Sequence, residues 1–365
     1  MLLSYILYSL LLIMMLYFSF MRNKRNLTLC HNQVNYLYDV VPIFLLTLIL
    51  GNRYDVGLDF HSYKYAFEHN DNKQFEFLYR TISEFLWNNG FSFYTLLSLT
   101  VLVYFIFFYL SFKEYKYLLP YCILFFMSFG PFTFLLNGIR QAITFSIFIY
   151  SIKYIHQKSF CRFLILILIA TGIHSFSLIL LPLYVLIYLD FNKIKVPFLI
   201  STYILTFLVG DIVFGIVIEI LLGELKTIGY GAYIENFGEE KMTYGTGLGI
   251  LLMKSIDIIL ILYFDKLKDY FKNTSYSIIF FIYFLGLLLY NIVGLDLLGN
   301  RAIYCLISMR FIVAGYLLYY LTRKKYYHCS INRYVTTYLV VSSLMLFIAN
   351  IRGGANGCSP FQFNF

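Results

Sequence analysis

Long apolar segments alternate with short polar ones along almost the whole chain of 365 residues. Each apolar segment is close to the length of about 20 residues that a helix needs to cross a hydrocarbon core roughly 30 Å thick. Lipid offers no hydrogen-bond partners to a bare backbone, so such segments must be helical. The pattern therefore predicts an all-α, polytopic membrane bundle of about 12 transmembrane helices, built as a single membrane domain over residues 1–365.

The apolar segments place the spans along the chain. We predict them at 2–21, 36–51, 93–112, 118–136, 141–155, 161–173, 174–189, 196–222, 247–264, 276–296, 302–321 and 334–350. The first segment lacks a basic leading region and a small-residue cleavage site, so it is interpreted as a span and not as a signal peptide. The two longest intervals between spans are predicted loops at about 52–92 and 223–246.

Six short basic loops set the predicted orientation, and together they hold 17 of the 28 Lys and Arg residues. Cytoplasmic loops are enriched in these residues. All six face the cytoplasm if the N terminus lies outside and if 160–189 forms two short arms that turn at Gly172–His174. A single long helix there would place Lys193 and Lys195 outside. The two long loops then face outward, so the polar chemistry is predicted on the extracytoplasmic side.

Composition removes several classes of function. The residues are 60% hydrophobic and only 13% charged, and the net charge of +9 is explained by the basic loops without invoking nucleic acid. The six cysteines show no spacing typical of a metal site or a disulfide framework. No Gly-rich nucleotide-binding motif is present. We therefore expect neither a cofactor nor a metal.

Two arginines are predicted to open outer helix ends. Arg140 stands in "LLNGIRQAITF" and Arg301 in "LLGNRAIYCLI", each preceded by Gly and Asn. The free N–H groups and the dipole of a helix N-terminus attract anions, and a guanidinium offers phosphate a planar fork. The alternative is an interfacial arginine whose head reaches the membrane surface. Two such arginines would suit a diphosphate.

Three further outer residues are candidates for proton transfer or binding. His174, in "IATGIHSFSL", could move a proton or donate to a phosphate, although a lone histidine in an apolar run is often only a packed residue. Asp59 lies in the pattern R-x-x-x-G-x-D-x-x-x-Y, which ends at Tyr63, and could accept a proton from a sugar hydroxyl. Glu76 precedes a segment with helical spacing of apolar residues, which predicts an amphipathic helix at the membrane interface.

Charged residues also occur inside predicted spans. Lys254 and Asp257 share a helix face, and Arg310 lies at a similar depth in its own span. Charges at such depth are normally paired. We predict a structural pair of Asp257 with Arg310 or with Lys254, in preference to a proton path.

These segments resemble the EpsG-like branch of the bacterial Wzy-type polysaccharide polymerases. The resemblance covers most of the chain and rests on the order and spacing of "NRYDVGLDFHSYKYAF", "FEFLYRTIS", "NGIRQAITFSI", "IATGIHSFSLILLPLY", "GNRAIYCL" and "CSPFQF". Phe60 and Phe361 stand where the family usually has tyrosine.

The resemblance implies a glycosyltransferase of GT-C-like fold in the bacterial inner membrane. It would join undecaprenyl-diphosphate-linked repeat units into O-antigen, capsule or exopolysaccharide, with the bilayer and a chain-length regulator protein as further partners. Arg140 and Arg301 would stabilise the leaving diphosphate, with Arg53 and His174 supporting them and Asp59 as the candidate base. The expected substrate contacts are Arg53, Tyr63, Glu76 and Gln141. No nucleic acid is expected.

Two other classes of protein remain open. A lipid-linked oligosaccharide flippase also has about a dozen spans, but it should line a central cavity with charged residues. A membrane O-acyltransferase needs a site for the acyl donor at the inner face, where the short loops offer little.

Overall fold

The computed structural model describes residues 1–25, 36–227, 247–293 and 303–364. The chain packs as two compact units. The first comprises Met1–Ile187 with Ala314–Phe365, and the second comprises Tyr188–Val313. The sequence alone suggested no boundary, and whether the units behave as one membrane domain stays a prediction.

Helices account for nearly all of the described secondary structure. In chain order they are α1 Leu2–Arg25, α2 Leu37–Gly51, α3 Phe60–Glu68, α4 Phe77–Asn88, α5 Phe93–Ser111, α6 Leu119–Ser128, α7 Pro131–Asn137, α8 Ile139–His156, α9 Phe160–Ile173, α10 Val196–Thr227, α11 Leu248–Leu262, α12 Phe264–Tyr270, α13 Tyr276–Val293, α14 Arg310–Leu321, α15 Lys324–Tyr327 and α16 Ser330–Arg352. Short 3₁₀ segments cover Lys116–Leu118, Ser175–Tyr188 and Ala355–Gly357, and two short strands are β1 Arg53–Tyr54 and β2 Gln362–Phe363. The predicted all-α class is confirmed.

The number of spans is only partly established. Within the described residues, four helical segments have the length and hydropathy to cross a membrane: Leu2–Asn23, Phe93–Ser111, Ile303–Leu321 and Ser330–Arg352. A fifth would be α6 with α7, which are bent by 59°. The bend follows from Gly130, whose φ is +107°, and from Pro131, which cannot continue the α6 helix. Other apolar helices are shorter, so the count of twelve stays a prediction.

The predicted turn at Gly172–His174 is confirmed. Helix α9 ends at Ile173, and His174 is extended with φ −153° and ψ 116°. The following 3₁₀ segment folds back, because the Tyr184 ring lies 5.0 Å from Phe160 at the start of α9. In one continuous helix these two residues would be separated by about 36 Å.

The loop after α2 packs closely against the C-terminal tail, and we call this contact region the junction. Strand β1 pairs antiparallel with β2, with Arg53 opposite Phe363. The N–H of Gly57 donates to the carbonyl of Gly357 at 2.9 Å. A Cβ on Gly57, whose φ is +105°, would lie 2.2 Å from the carbonyl oxygen of Leu136. Three backbone segments therefore meet where only glycine fits.

Arg53 lies at the centre of this junction. Its side chain is buried, and its guanidinium donates to the carbonyls of Leu50 at 2.7 Å, Val56 at 3.3 Å and Leu136 at 3.3 Å. Burial lowers the pKa of Arg53 to about 10, so the group stays charged at neutral pH. The arginine thus fixes the backbone that leads to Asp59.

An apolar core supports the helices that follow this junction. Phe60 and Phe67 of α3 are buried with Phe93 of α5 and Ile139 of α8, and the same cluster includes Tyr79 of α4. Phe60 and Phe67 are seven residues apart, so they share one face of α3. This core sets where α3 and α4 lie against α8 and α9.

Helix α4 confirms the predicted helix after Glu76, which is its N-cap residue. Its buried face carries Tyr79, Ser83 and Leu86, whereas Phe77 and Phe85 are exposed. An exposed apolar face agrees with an interfacial helix, and contact with lipid stays a prediction.

The second unit contains a buried ion pair that confirms one of the two predicted alternatives. Arg310 donates two hydrogen bonds to the carboxylate of Asp257, from Nε to Oδ1 at 2.6 Å and from Nη2 to Oδ2 at 3.1 Å. The Tyr283 hydroxyl donates to Oδ1 at 2.6 Å. Lys254 is not the partner of Asp257.

Candidate active site

Glu76 is the centre of a polar cluster in the first unit. Its Oε2 accepts a hydrogen bond from Nη1 of Arg140. Its Oε1 accepts from His174 Nδ1 at 3.2 Å, from the Ser175 N–H at 2.9 Å and from the Ser175 hydroxyl at 3.1 Å. One carboxylate therefore joins α4, α8 and the turn after α9.

The charge state of Glu76 determines the roles of its partners. Burial alone would raise the pKa of Glu76, but the hydrogen bonds from His174 and Ser175 and the charge of Arg140 hold it well below its usual range. An ionised carboxylate only accepts hydrogen bonds, so Nδ1 of His174 must carry the proton. The lone pair of the neutral imidazole is then on Nε2, which is the arrangement of an oriented general base.

Local structure explains how His174 reaches Glu76. Helix α9 ends when the N–H of His174 closes its last turn on the carbonyl of Ala170 at 2.8 Å. Gly172 lies against α4, since a Cβ there would be 2.7 Å from Leu78 Cδ1. A glycine at this position lets the end of α9 approach α4 closely enough for the imidazole to contact the carboxylate.

Arg140 occupies the first turn of α8, as predicted. Its guanidinium lies 4.5 Å from the centre of the Phe75 ring and 5.8 Å from the rings of Tyr63 and Tyr79. Its Nε donates to the Tyr63 hydroxyl at 3.4 Å, and Nη1 binds Glu76. Nη2 has no hydrogen-bond partner among the described residues, so two donors remain for a ligand.

Asp59 lies beside this cluster through its backbone. Its N–H donates to Oδ1 of Asn137 at 2.8 Å, three residues before Arg140. Its carboxylate is partly exposed and makes no hydrogen bond or ion pair with another described side chain. No residue in the described chain therefore orients Asp59 as Glu76 orients His174.

The structure brings together four of the eight predicted site residues: Tyr63, Glu76, Arg140 and His174. It contradicts the predicted substrate contact of Arg53. This side chain is buried, and among the described residues it donates only to backbone carbonyls, so it is not presented to a substrate. Gln141 is buried within α8, and its contact with the substrate stays a prediction. Arg301 lies outside the described residues, and its predicted role stays a prediction.

Asn137 and Gly138, which precede Arg140, make contacts within the protein. Asn137 holds the backbone of Asp59 and does not cap α8 with its side chain. A Cβ on Gly138 would lie 2.6 Å from the Phe134 ring, so the glycine leaves room for that ring.

Sequence reasoning missed three contributors to the cluster: Phe75, Tyr79 and Ser175. Phe75 and Tyr79 form part of the aromatic surround of Arg140, and Ser175 gives Glu76 two hydrogen bonds. Their nearness to Glu76 and His174 in the sequence was the available signal. Across the described ranges, no group of three or more His, Cys, Asp and Glu side chains is placed to hold a metal ion.

Comparison with known proteins gives one family. The profile of the EpsG family matches residues 36–363, which is most of the chain and includes every residue of the cluster. No curated protein and no solved structure matches the chain.

Proposed function

The chain belongs to the EpsG family, and from this premise we propose that it is a polysaccharide polymerase of the bacterial inner membrane. It joins undecaprenyl-diphosphate-linked oligosaccharide repeat units by glycosyl transfer on the extracytoplasmic face. Membership of the family is consistent with a membrane protein of the polysaccharide-polymerase type, and the long apolar helices also point to a membrane protein. The observation that carries the proposal is the Glu76 cluster, which holds a base and a cation on one carboxylate.

The proposed reaction needs two kinds of help. A hydroxyl of the acceptor sugar forms a bond to the anomeric carbon of the donor, and the bond from that carbon to the diphosphate oxygen breaks. The hydroxyl proton must go to a base, and the departing diphosphate gains negative charge that must be stabilised.

His174 is the proposed base. Glu76 fixes its tautomer, which leaves the Nε2 lone pair to take the acceptor proton. Glu76 is then a positioning residue and not a contact of the substrate. Asp59 is the second candidate for the base, since its carboxylate has no partner among the described side chains.

Arg140 is the proposed group for the leaving diphosphate. Glu76 holds Nη1, so the guanidinium is fixed in place while Nη2 is left for phosphate oxygen. Its position in the first turn of α8 adds the helix N-terminus to the favourable field. Arg301 is proposed to act on the same diphosphate, with Tyr63 beside Arg140 contacting the substrate.

A second candidate function is transfer of an acyl group to a sugar hydroxyl. The oriented His174 supports it, because a base for a sugar hydroxyl serves acyl transfer as well as glycosyl transfer. The length of the polysaccharide separates the two. Loss of a polymerase leaves single repeat units, whereas loss of an acyltransferase leaves polymer of normal length.

The test is a deletion strain complemented with variants, with the glycan resolved by gel. We expect single repeat units in the deletion strain and full-length polymer with the wild-type chain. Arg140→Lys keeps the charge, but an ammonium lacks the planar guanidinium geometry that can bind Glu76 and phosphate together. The variant should therefore make little polymer at a normal protein level. The matched control is Arg162→Lys, because Arg162 also lies over a tyrosine ring, at 5.8 Å from Tyr154, but is exposed and far from Glu76 in the sequence. Normal polymer in the deletion strain would reject the proposal.

A further inference from the structure

The position of Lys254 in α11 suggests an ion pair with Asp257, but Asp257 pairs with Arg310 instead. Asp257 lies one turn further along the same helix face, but it is occupied by Arg310 and by the Tyr283 hydroxyl. The ammonium of Lys254 donates instead to Oδ1 of Asn291. An amide is neutral, so this bond does not compensate the charge of the lysine.

The surroundings of Lys254 suit a cation, and the carboxylate of Asp257 is already paired with Arg310. The ammonium lies 5.6 Å from the centre of the Tyr203 ring, 5.5 Å from Phe207 and 5.2 Å from Tyr290. Asn291 is itself held in place, since its amide donates to the Thr206 hydroxyl at 3.2 Å. These groups form a preformed cradle around the ammonium.

The charges of this cluster do not balance. Within the side chains that the structure describes, Lys254 and Arg310 carry two positive charges and Asp257 carries one negative charge. Lys254 is partly buried, and an ammonium withdrawn from water without a counter-ion is unfavourable. Two of its three N–H donors remain for an anion after the bond to Asn291.

The neighbouring surface indicates the kind of anion. Phe207, whose ring contacts the ammonium, is 61% exposed, and Leu251, one turn before Lys254 on the same face, is 66% exposed. A cation beside exposed apolar side chains matches a ligand with an anionic head and an apolar tail. Such a ligand is a lipid phosphate or diphosphate, and free phosphate would leave the apolar surface in water.

We propose that Lys254 binds the diphosphate of a second lipid-linked substrate. This inference rests on the proposed function, since a polymerase that joins two lipid-linked glycans must hold two diphosphates, and Arg140 accounts for one. Lysine binds phosphate as a point charge and needs no fixed fork. Asn291 positions the ammonium, and Phe207 and Leu251 contact the start of the lipid chain.

The test counts bound lipids on the full chain in detergent by native mass spectrometry, with farnesyl diphosphate as the probe. We expect two bound per wild-type chain, one for Lys254→Met and one for Arg140→Met, with the affinity of the lost site reduced about tenfold or more. Lys266→Met is the matched control and should bind two, because Lys266 is an exposed lysine of the same unit that lies 4.9 Å from the Tyr263 ring. A parallel series with phosphatidylglycerol tests ordinary phospholipid as the source of the phosphate.

Each contrary result has a distinct meaning. Two bound probes on Lys254→Met, or a single wild-type site that only Arg140→Met removes, would overturn the role of Lys254 and leave the polymerase proposal intact. Displacement of the Lys254-dependent probe by equimolar phosphatidylglycerol would assign the cradle to bulk phospholipid and overturn its role as a substrate site. No probe bound to the wild-type chain would also reject the second site, while the length of the polymer decides the function separately.

Discussion

The Glu76 carboxylate accepts a hydrogen bond from Nδ1 of His174 at 3.2 Å, although the two residues are 98 positions apart in the sequence. The same carboxylate also binds Arg140, which is 64 positions away. A single group therefore sets both the tautomer of His174 and the position of the Arg140 guanidinium. In the proposed reaction, the positions of His174 and Arg140 therefore both depend on Glu76.

Glu76→Gln should abolish most polymer and also lower stability. The amide cannot accept from Arg140, His174 and Ser175 as a carboxylate does, and it leaves a partly buried arginine without its counter-charge. Single repeat units on the lipid should accumulate. Glu84→Gln is the control on the same helix, because Glu84 makes no hydrogen bond or ion pair with the described residues.

The pH dependence of stability gives a second readout for Glu76. The pKa of Glu76 in the folded chain lies below the value of 4.5 expected when unfolded, so its contribution is fully present above pH 4.5 and is lost as the pH falls below that. In detergent, the wild-type chain should unfold at a higher temperature than Glu76→Gln at pH 7. The difference should shrink below pH 4.5, and a constant difference would contradict an ionised Glu76.

His174→Gln and Asp59→Asn should separate the two candidates for the base. Each change removes a proton acceptor but keeps a similar shape, and an essential base is commonly worth about 10²–10⁴ in rate. We expect His174→Gln to accumulate single repeat units at a normal protein level, with binding of a lipid diphosphate retained. His156→Gln, on an exposed histidine of α8, should have no effect.

Asp59→Asn should lower the rate less than His174→Gln does, because the described structure provides no residue to orient the Asp59 carboxylate. The measurement is the rate of polymer formation in membranes supplied with lipid-linked repeat units. The reverse order, with Asp59→Asn inactive and His174→Gln active, would transfer the role of base to Asp59.

Arg53→Met should lower the amount of folded protein in the membrane, not the activity of each molecule. The change leaves the carbonyls of Leu50, Val56 and Leu136 without their donor, and each unpaired buried group costs about 1–3 kcal/mol. The measurement is membrane abundance together with polymer per molecule. Arg352→Met, on an exposed arginine close to the tail, is the control. Normal abundance with abolished polymer would return Arg53 to the active site.

Arg53 also shows where prediction from sequence stopped. The resemblance implies that Arg53 contacts a substrate, whereas its actual partners are backbone carbonyls that no side-chain pattern reveals. Helix positions were predictable because long apolar runs dictate them, as the agreement of 93–112 with Phe93–Ser111 illustrates.

The members of the candidate site were predictable one by one, but their arrangement was not. Arg140 and His174 stand out as polar residues at apolar helix ends, and Glu76 stands out before α4. The role of Glu76 as the shared acceptor depends on how α4 packs against α8 and α9, and this packing is determined by buried apolar residues distant in sequence, such as Phe67 and Ile139. Local patterns contain no such information.

Asp257→Ala should reduce membrane abundance strongly. Asp257 is fully buried, and its removal leaves the Arg310 guanidinium and the Tyr283 hydroxyl without their acceptor. Breaking one side of a buried ion pair costs about 3–5 kcal/mol, chiefly because the other charge stays buried and unpaired.

The double variant Asp257→Leu with Arg310→Met distinguishes a structural pair from a functional one. Apolar side chains of similar size can replace a buried pair at little cost, because both charges leave together and neither remains uncompensated. We therefore expect the double variant to recover abundance that Asp257→Ala loses, and its polymer per molecule to match the wild type. Tyr283→Phe, which removes the third member of the network, should have only a small effect in the otherwise wild-type chain, since the carboxylate keeps both bonds to Arg310. Recovered abundance without polymer would instead assign the pair a role in the reaction cycle, such as the proton path that the pairing argues against.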